Sequence, residues 1–282
     1  MGGENKMKLK KILGLGLSAF ILVSVVGCSS GEDKNASVDV ANSSEDKKIV
    51  VGASATPHAE ILEEIKPLLK DKGYELDIKV FDDYVLPNTA LDEGSLDANY
   101  FQHVPYLEET VDKKGYKLTY TKKIHLEPMG VYSKKIKSLD ELSNGVKIAI
   151  PNDPTNGSRA IKLLADNGLI KVEDKEILTV NDLIENTKNI EIIEVDAPQL
   201  PTILLDVDAA VINTNYALSA NLNPTKDAIA IESVDSPYSN ILACREDNKD
   251  SEKIKVLTEA LTSEKVKEFI KEKYQGSIIP SF

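Results

Sequence analysis

Residues Lys147–Gly168 read KIAIPNDPTNGSRAIKLLADNG. Ile148 and Ile150 alternate as in a strand, and Pro, Asn, Asp and Gly then mark a loop. Ile161, Leu163, Leu164 and Leu169 follow on the apolar positions of a helix. A helix start leaves backbone N–H groups unpaired and carries partial positive charge, so it favours an anion. Arg159 is expected in that first turn, where a cation is mildly unfavourable unless something negative meets it. Its guanidinium could then grip a carboxylate through two parallel hydrogen bonds. Spacing alone favours a plainer alternative, a capping loop with a solvated Arg, so the surrounding chain has to arbitrate.

Outward from this unit, strand and helix patterns alternate. Toward the N-terminus, KKIVVGA (47–53) reads as a strand. A helix then carries Ile61, Leu62, Ile65, Leu68 and Leu69 on one face, and Pro67 is expected to kink or restart it. ELDIKVF (75–81) is a second strand, 88–94 a short helix, LDANYF (96–101) a strand, and 104–114 a helix ended by Gly115. Residues 117–133 are extended without helical period. Toward the C-terminus, 189–195, 208–213, 228–234 and 240–245 read as strands. Two amphipathic helices close the chain, with Ser263 as the N-cap between them. Such alternation predicts an α/β protein with parallel sheets covered on both faces. About ten strands in 236 residues suit two smaller sheets, and the lack of a linker fits a chain that crosses between two lobes more than once.

The N-terminus has a different character. Lys6, Lys8, Lys10 and Lys11 precede an uncharged run from Ile12 to Val26, and Gly27-Cys28 follows. A basic start, a short apolar core and small residues before a processing point describe a secretory signal over 1–27, and 15 residues are too few for a comfortable membrane span. The stretch resembles a bacterial lipobox, which implies that Cys28 becomes a lipidated N-terminus. Residues 28–46, small, polar and charged, read as a flexible tether. With Cys28 acylated, Cys244 is the one remaining thiol, so no internal disulfide forms, and its apolar setting suggests a small core residue. The full chain has 34 basic and 46 acidic residues; losing 1–27 removes four Lys and one Glu, leaving 30 against 45, or −15. So acidic a body argues against nucleic-acid or anionic-lipid partners.

In open α/β sheets ligands sit beyond the carboxyl ends of strands. Aromatics gather at those ends in the first half, at Tyr84, Phe101 and Tyr106, in a chain with 15 Phe plus Tyr and no Trp. Amides and Arg159 gather in the second half, with Asn152, Asn156, Asn213 and Asn215. An apolar slot facing a polar, carboxylate-seeking wall suits a zwitterion with an apolar side chain. Each aromatic alone is more simply core, and each Asn a cap; it is the collection that points to a ligand.

NYFQHVPYLE, IHLEPMGVYS, IAIPNDPTNGSRA, DAPQLP, DAAVINTNYAL, LNPTKDA and SPYSNILA, in that order, resemble the signature segments of the methionine-binding lipoproteins of ABC importers, the NlpA-type family, across residues 47–282. The resemblance implies a periplasmic-binding-protein-like fold of two α/β lobes, 47–128 plus 234–282 and 129–233, with methionine or a related small ligand in the cleft. Tyr84, Phe101 and His103 would line the methionine side-chain slot. Arg159 would take the carboxylate, Glu127, Asn213 and Asn240 would hold the amino-acid head, and Asn156 completes the ligand-binding set. The partners implied are ABC permease subunits and, through the lipid, the extracytoplasmic face of the cell membrane. The body would act as a monomer without cofactor, metal or catalysis. Short methionine peptides or another small amino acid are alternative ligands.

Three other classes fit less well. A metal receptor would draw on His58, His103 and His125, but none forms a local pair with another His or Cys. An enzyme would draw on Asp83, Glu127 and His103, yet no GxSxG, CxxC, HExxH or P-loop accompanies them. An adhesive or structural role would leave the strand-end residues unexplained.

Overall fold

The computed structural model describes residues 47–282; the expected signal, Cys28 and the tether to residue 46 lie outside the described residues. The strands, in chain order, are β1 (Lys48–Ala53), β2 (Glu75–Val80), β3 (Ala98–His103), β4 (Leu118–Leu126), β5 (Gly130–Tyr132), β6 (Lys147–Pro151), β7 (Lys171–Val172), β8 (Leu183–Glu185), β9 (Glu191–Val195), β10 (Ala209–Ile212), β11 (Ala230–Ile231), β12 (Ser239–Arg245) and β13 (Ile279–Pro280). The helices are α1 (Glu60–Asp71), α2 (Leu86–Asp92), α3 (Val104–Lys114), α4 (Pro154–Asp166), α5 (Thr214–Ser219), α6 (Pro224–Asp227), α7 (Glu252–Leu261) and α8 (Glu264–Tyr274).

Two sheets organise these elements. The first runs β13-β4-β12-β3-β1-β2 and the second β11-β5-β10-β6-β9, while β7 and β8 form a separate ribbon. The expectation of parallel sheets is corrected: both are mixed. β1 pairs in parallel with β2 and β3, but β12 is antiparallel to β3 and β4. In the second sheet β6 is parallel to β9 and β10, whereas β5 is antiparallel to β10 and β11. The cause is the path of the chain. It leaves the first sheet through β4 into β5 and returns from β11 into β12, and strands entered by such crossings are not tied by right-handed helical crossovers. The long extended stretch 117–133 is thus two strands, one in each sheet, with Glu127–Met129 between them.

Each sheet has its own core. Ile49 and Val51 of β1 pack with Ile61, Leu62, Ile65 and Leu69 of α1 and with Leu257, Leu261, Val266 and Ile270 of α7 and α8. Around the second sheet, Ile148, Ile150 and Val211 pack with Ile161 and Leu164 of α4. Each such side chain contributes roughly 1.5–3 kcal/mol by burial. Ser263 caps α8, its side chain accepting a hydrogen bond from the Val266 N–H as expected. Cys244 is fully buried, which pushes its thiol up to about 11.

Pro67 does not break α1. The helix runs unbroken through it, because Pro67 and Glu63, whose carbonyl loses its bond, are both exposed to solvent that can take that carbonyl. The expected strand 228–234 shrinks to Ala230–Ile231, since the chain turns there into its return crossing.

Candidate functional site

The end of β3, the segments that follow β2, β4, β6 and β10, and the start of β12 converge on one cavity with about 330 Å³ of unfilled space, its mouth included. All eight residues singled out in the sequence line it: Tyr84, Phe101, His103, Glu127, Asn156, Arg159, Asn213 and Asn240. Topology explains the meeting. Because β12 runs antiparallel to β3 and β4, its first residues, including Asn240, lie beside His103 and His125 at the ends of those strands.

One end of the cavity is aromatic. The Tyr84 ring stands 5.9 Å from those of Phe101 and Tyr106, and the Tyr106 hydroxyl donates to the Tyr84 carbonyl at 3.0 Å. Across the cleft, the Tyr84 hydroxyl donates to Asn215 Oδ1 at 2.6 Å. His103 caps α3, its Nδ1 accepting from the Tyr106 N–H at 3.2 Å. That fixes the proton on Nε2, which donates to Asn156 Oδ1 at 3.1 Å. Burial, helped by the nearby Arg159 charge, lowers the His103 pKa to about 3, so the ring is neutral.

The other end is polar. α4 begins at Pro154, with Asp153 as its N-cap accepting from the Asn156 N–H at 2.9 Å. The placement of Arg159 in the first turn is therefore corrected. Asp153 and Pro154 are a cap and first-position pair that start the helix earlier, so Arg159 lies in the second turn. Gly157 lets this helix approach β6, since a Cβ there would stand 2.9 Å from the Pro151 carbonyl oxygen.

Arg159 makes a two-pronged grip on a protein carboxylate, that of Glu232. Nε donates to Glu232 Oε1 at 2.9 Å, and Nη2 donates to Glu232 Oε2 at 2.5 Å and to the Glu127 carbonyl at 2.7 Å. The guanidinium also lies 4.4 Å over the Tyr238 ring. None of these bonds uses Nη1. Asn156 is likewise committed, its Nδ2 to Asp153 and its Oδ1 to His103 and Asn213 Nδ2. Asn213 Oδ1, by contrast, is a buried acceptor with no hydrogen-bond partner among the described residues. A buried unpaired acceptor costs roughly 1–3 kcal/mol unless something donates to it, and this one borders the cavity.

Behind the lining, His58 and His125, which the sequence offers only as metal-receptor candidates, form a buried cluster with Glu127 and Asn240. His58 Nδ1 bonds Ser54 Oγ at 2.7 Å, and its Nε2 lies 3.1 Å from Asn240 Oδ1 and 3.2 Å from Glu127 Oε1. His125 Nε2 bonds Glu127 Oε1 at 2.7 Å, and its Nδ1 bonds the Tyr100 hydroxyl. Burial lowers His58 to about 4 and His125 to about 3, while it raises the Glu127 carboxyl.

Donor atoms of His58, His125 and Glu127 all lie within 4.8 Å of one another, the one such group among the described residues that could hold a metal. At zinc bond lengths of about 2.0–2.2 Å, tetrahedral ligands stand about 3.3–3.6 Å apart. The 2.7 Å His125–Glu127 separation is that of an N–H···O bond. Glu232 was missed outright. It was hidden in the apolar-alternating segment AIAIESV, and only the crossing brings it to Arg159. No local signal announces it.

A sequence model of the NlpA lipoprotein family matches residues 49–282. The chain belongs to the NlpA lipoprotein family. Among its relatives, the methionine-binding lipoprotein MetQ of Bacillus subtilis is 47% identical over 242 residues, spanning 83% of this chain and 88% of that protein. The D-methionine-binding lipoprotein MetQ of Escherichia coli K12 is 42% identical over 262 residues, 91% of this chain and 93% of its own. A nutrient binding protein from Burkholderia cenocepacia, solved bound to methionine, superposes with a TM-score of 0.81 at 50% identity, covering 83% of this chain and all of that one. The α/β fold of this NlpA-family chain is thus the one its solved relatives share.

Proposed function

We propose that this chain is a lipid-anchored, extracytoplasmic receptor of an ABC importer that captures methionine by closure of two lobes and passes it to a membrane permease. The lobes would be 47–128 plus 234–282 and 129–233, a division supported by the strands of the two sheets, and the receptor would act as a monomer. Its job is binding, with no reaction step.

The observation that carries this reading is the split chemistry of one cavity: aromatic rings at one end, and at the other an unpaired acceptor beside a buried carboxylate and a guanidinium. Glu127 and Asn213 Oδ1 would accept from an ammonium group, Arg159 Nη1 would donate to a carboxylate, and Tyr84, Phe101 and Tyr106 would hold the thioether side chain. Sulfur against ring edges contributes roughly 0.3–1.5 kcal/mol. His103 and Asn156 would hold the walls together. Relatives named for methionine or D-methionine binding, and a neighbour solved with methionine, support the ligand class. The lipobox resemblance at Cys28 and the relatives' name of lipoprotein support the anchor; no helix of the described residues is long and apolar enough to cross a membrane.

Native mass spectrometry followed by calorimetry with L-methionine, D-methionine and methionine dipeptides tests this. Release of a methionine-mass ligand and tight binding of either enantiomer is the expected result. Tight binding of dipeptides alone would move the head-group assignment, and silence toward all of them would overturn the ligand class.

A further inference from the structure

We propose that His58 and His125 are positioning residues: His125 Nε2–H donates to one oxygen of Glu127, the His58 Nε2–H that donates to Asn240 stands beside the same oxygen, and together they hold that carboxylate ionised and leave its second oxygen to the ligand's ammonium. This rests on the amino-acid reading above and adds residues that do not line the cavity.

The tautomers follow from the partners. His58 Nε2 faces two oxygens, Asn240 Oδ1 and Glu127 Oε1, so it carries the proton, and Nδ1 accepts from the Ser54 hydroxyl. His125 Nε2 faces Glu127 Oε1, and its Nδ1 accepts from the Tyr100 hydroxyl. The His125 bond lands on Oε1 and the His58 N–H, bonded to Asn240, lies 3.2 Å from the same oxygen, which leaves Oε2 uncommitted to either ring. The His58 ring is also fixed against its neighbours, edge-on to Tyr100 with centroids 4.7 Å apart and 5.0 Å from His125.

Every group of this cluster stands on the first sheet: Ser54 and His58 after β1, Tyr100 on β3, His125 and Glu127 at the end of β4, Asn240 on β12. The side chains that hold Glu127 therefore all stand on one sheet, and from the other comes the Asn215 backbone N–H.

The ionisable and charged groups that face Glu127 are His58, His125, Tyr100, Tyr84, Arg159 and, farther away, Tyr274. The Asn215 backbone N–H also donates to it. Burial raises the carboxyl, while His58, Arg159 and that N–H pull it back. Donors on an anion favour the charged form, so removing one lets the proton return at higher pH. A protonated Glu127 cannot serve an ammonium. The pair of imidazoles then sets both the requirement for an amine and the pH at which binding fades.

Side-chain length supplies the test. A Gln amide N–H reaches about where His Nε2–H stood, whereas an Asn amide reaches only to the Nδ1 position. In the full chain, His58→Gln and His125→Gln should keep the Glu127 titration near that of the unaltered protein. His58→Asn and His125→Asn should move its midpoint upward by about one pH unit, read by carboxyl-carbon NMR with Glu127→Gln assigning the resonance.

The Asn variants should also lose about tenfold or more in affinity for L-methionine, increasingly toward acid pH. Their preference for L-methionine over its 2-hydroxy analogue should narrow. An unchanged Glu127 midpoint in both Asn variants, or nitrogen shifts in the unaltered protein placing the histidine protons on Nδ1, would overturn the assignment. Those spectra need neither a ligand nor a tolerated substitution. If the unaltered protein binds neither compound, the methionine reading falls and the NMR titration still decides the histidine roles.

Discussion

The two sides of the cavity are wired differently. On the first-sheet side, Glu127 is held by His58 and His125, side chains of its own sheet, and the aromatic rings pack on one another. On the second-sheet side, Arg159 reaches off its helix to the two crossing segments, bonding the Glu127 carbonyl and the Glu232 carboxylate. Apart from the Asn215 N–H on Glu127, the first side is held within one body, whereas the second depends on where the crossings lie. A ligand with an apolar side chain and an ammonium group would therefore settle first on the first-sheet side, and closure would bring it the guanidinium. Among the bonds that span the cleft are Tyr84–Asn215, His103–Asn156, the Tyr216 hydroxyl on the Asp82 carbonyl and Ser277 Oγ on Asn223 Oδ1. These would have to break on opening.

The sharpest way to break this contrast is Arg159→Ala. It strands the Glu232 carboxylate in a poorly solvated place, so stability should fall by about 3–5 kcal/mol in denaturant melts, and ligand affinity should fall by about 2–5 kcal/mol in calorimetry. If affinity survives, Arg159 serves the crossings alone.

On the opposite side, Phe101→Ala should weaken methionine by about 1.5–3 kcal/mol while leaving the demand for a free carboxylate intact, measured against methioninamide. Loss of that demand would show that the two sides are not independent. Glu232→Gln comes next. It removes the charge that the Arg159 fork holds, and affinity should change by about 1–3 kcal/mol with the largest effect on release rate; an unchanged release rate would detach Glu232 from closure.

Acid titration sharpens the contrast most gently. His58, His103 and His125 have pKa values lowered by burial to about 4, 3 and 3, against an ordinary 6.5. Below about pH 6.5 the unfolded chain takes up protons that these rings refuse, so stability should fall from there toward pH 4. Each ring contributes up to about 1.4 kcal/mol per pH unit. His58→Gln should remove one proton's worth of that slope in melts across this range.

Much of this was legible from sequence because it is local. The cap Ser263, the Gly115 stop with φ of 71°, and the strand ends that carry Phe101, Glu127 and Asn213 all follow from neighbours in the chain. Asp153-Pro154 was equally local; its residues were read as loop although they start a helix. What stayed hidden lies between distant segments. Glu232 meets Arg159 from 73 residues away, and His58 meets Asn240 from 182. No period or spacing reports such a partner. Parallel sheets were expected for the same reason: only the path of the two crossings makes β5 and β12 antiparallel to their neighbours.

Those crossings also run side by side. The Glu232 N–H donates to the Met129 carbonyl at 2.8 Å, and the Met129 N–H donates to Glu232 Oε2 at 3.2 Å. One chain between two bodies swivels about any axis, but two laced together flex like a strap hinge, readily about the line through both and stiffly in torsion. Opening is thereby reduced to nearly a single angle. A permease meeting this receptor would then need to sense only how far apart two rims stand, one number that reports the presence of cargo without touching it.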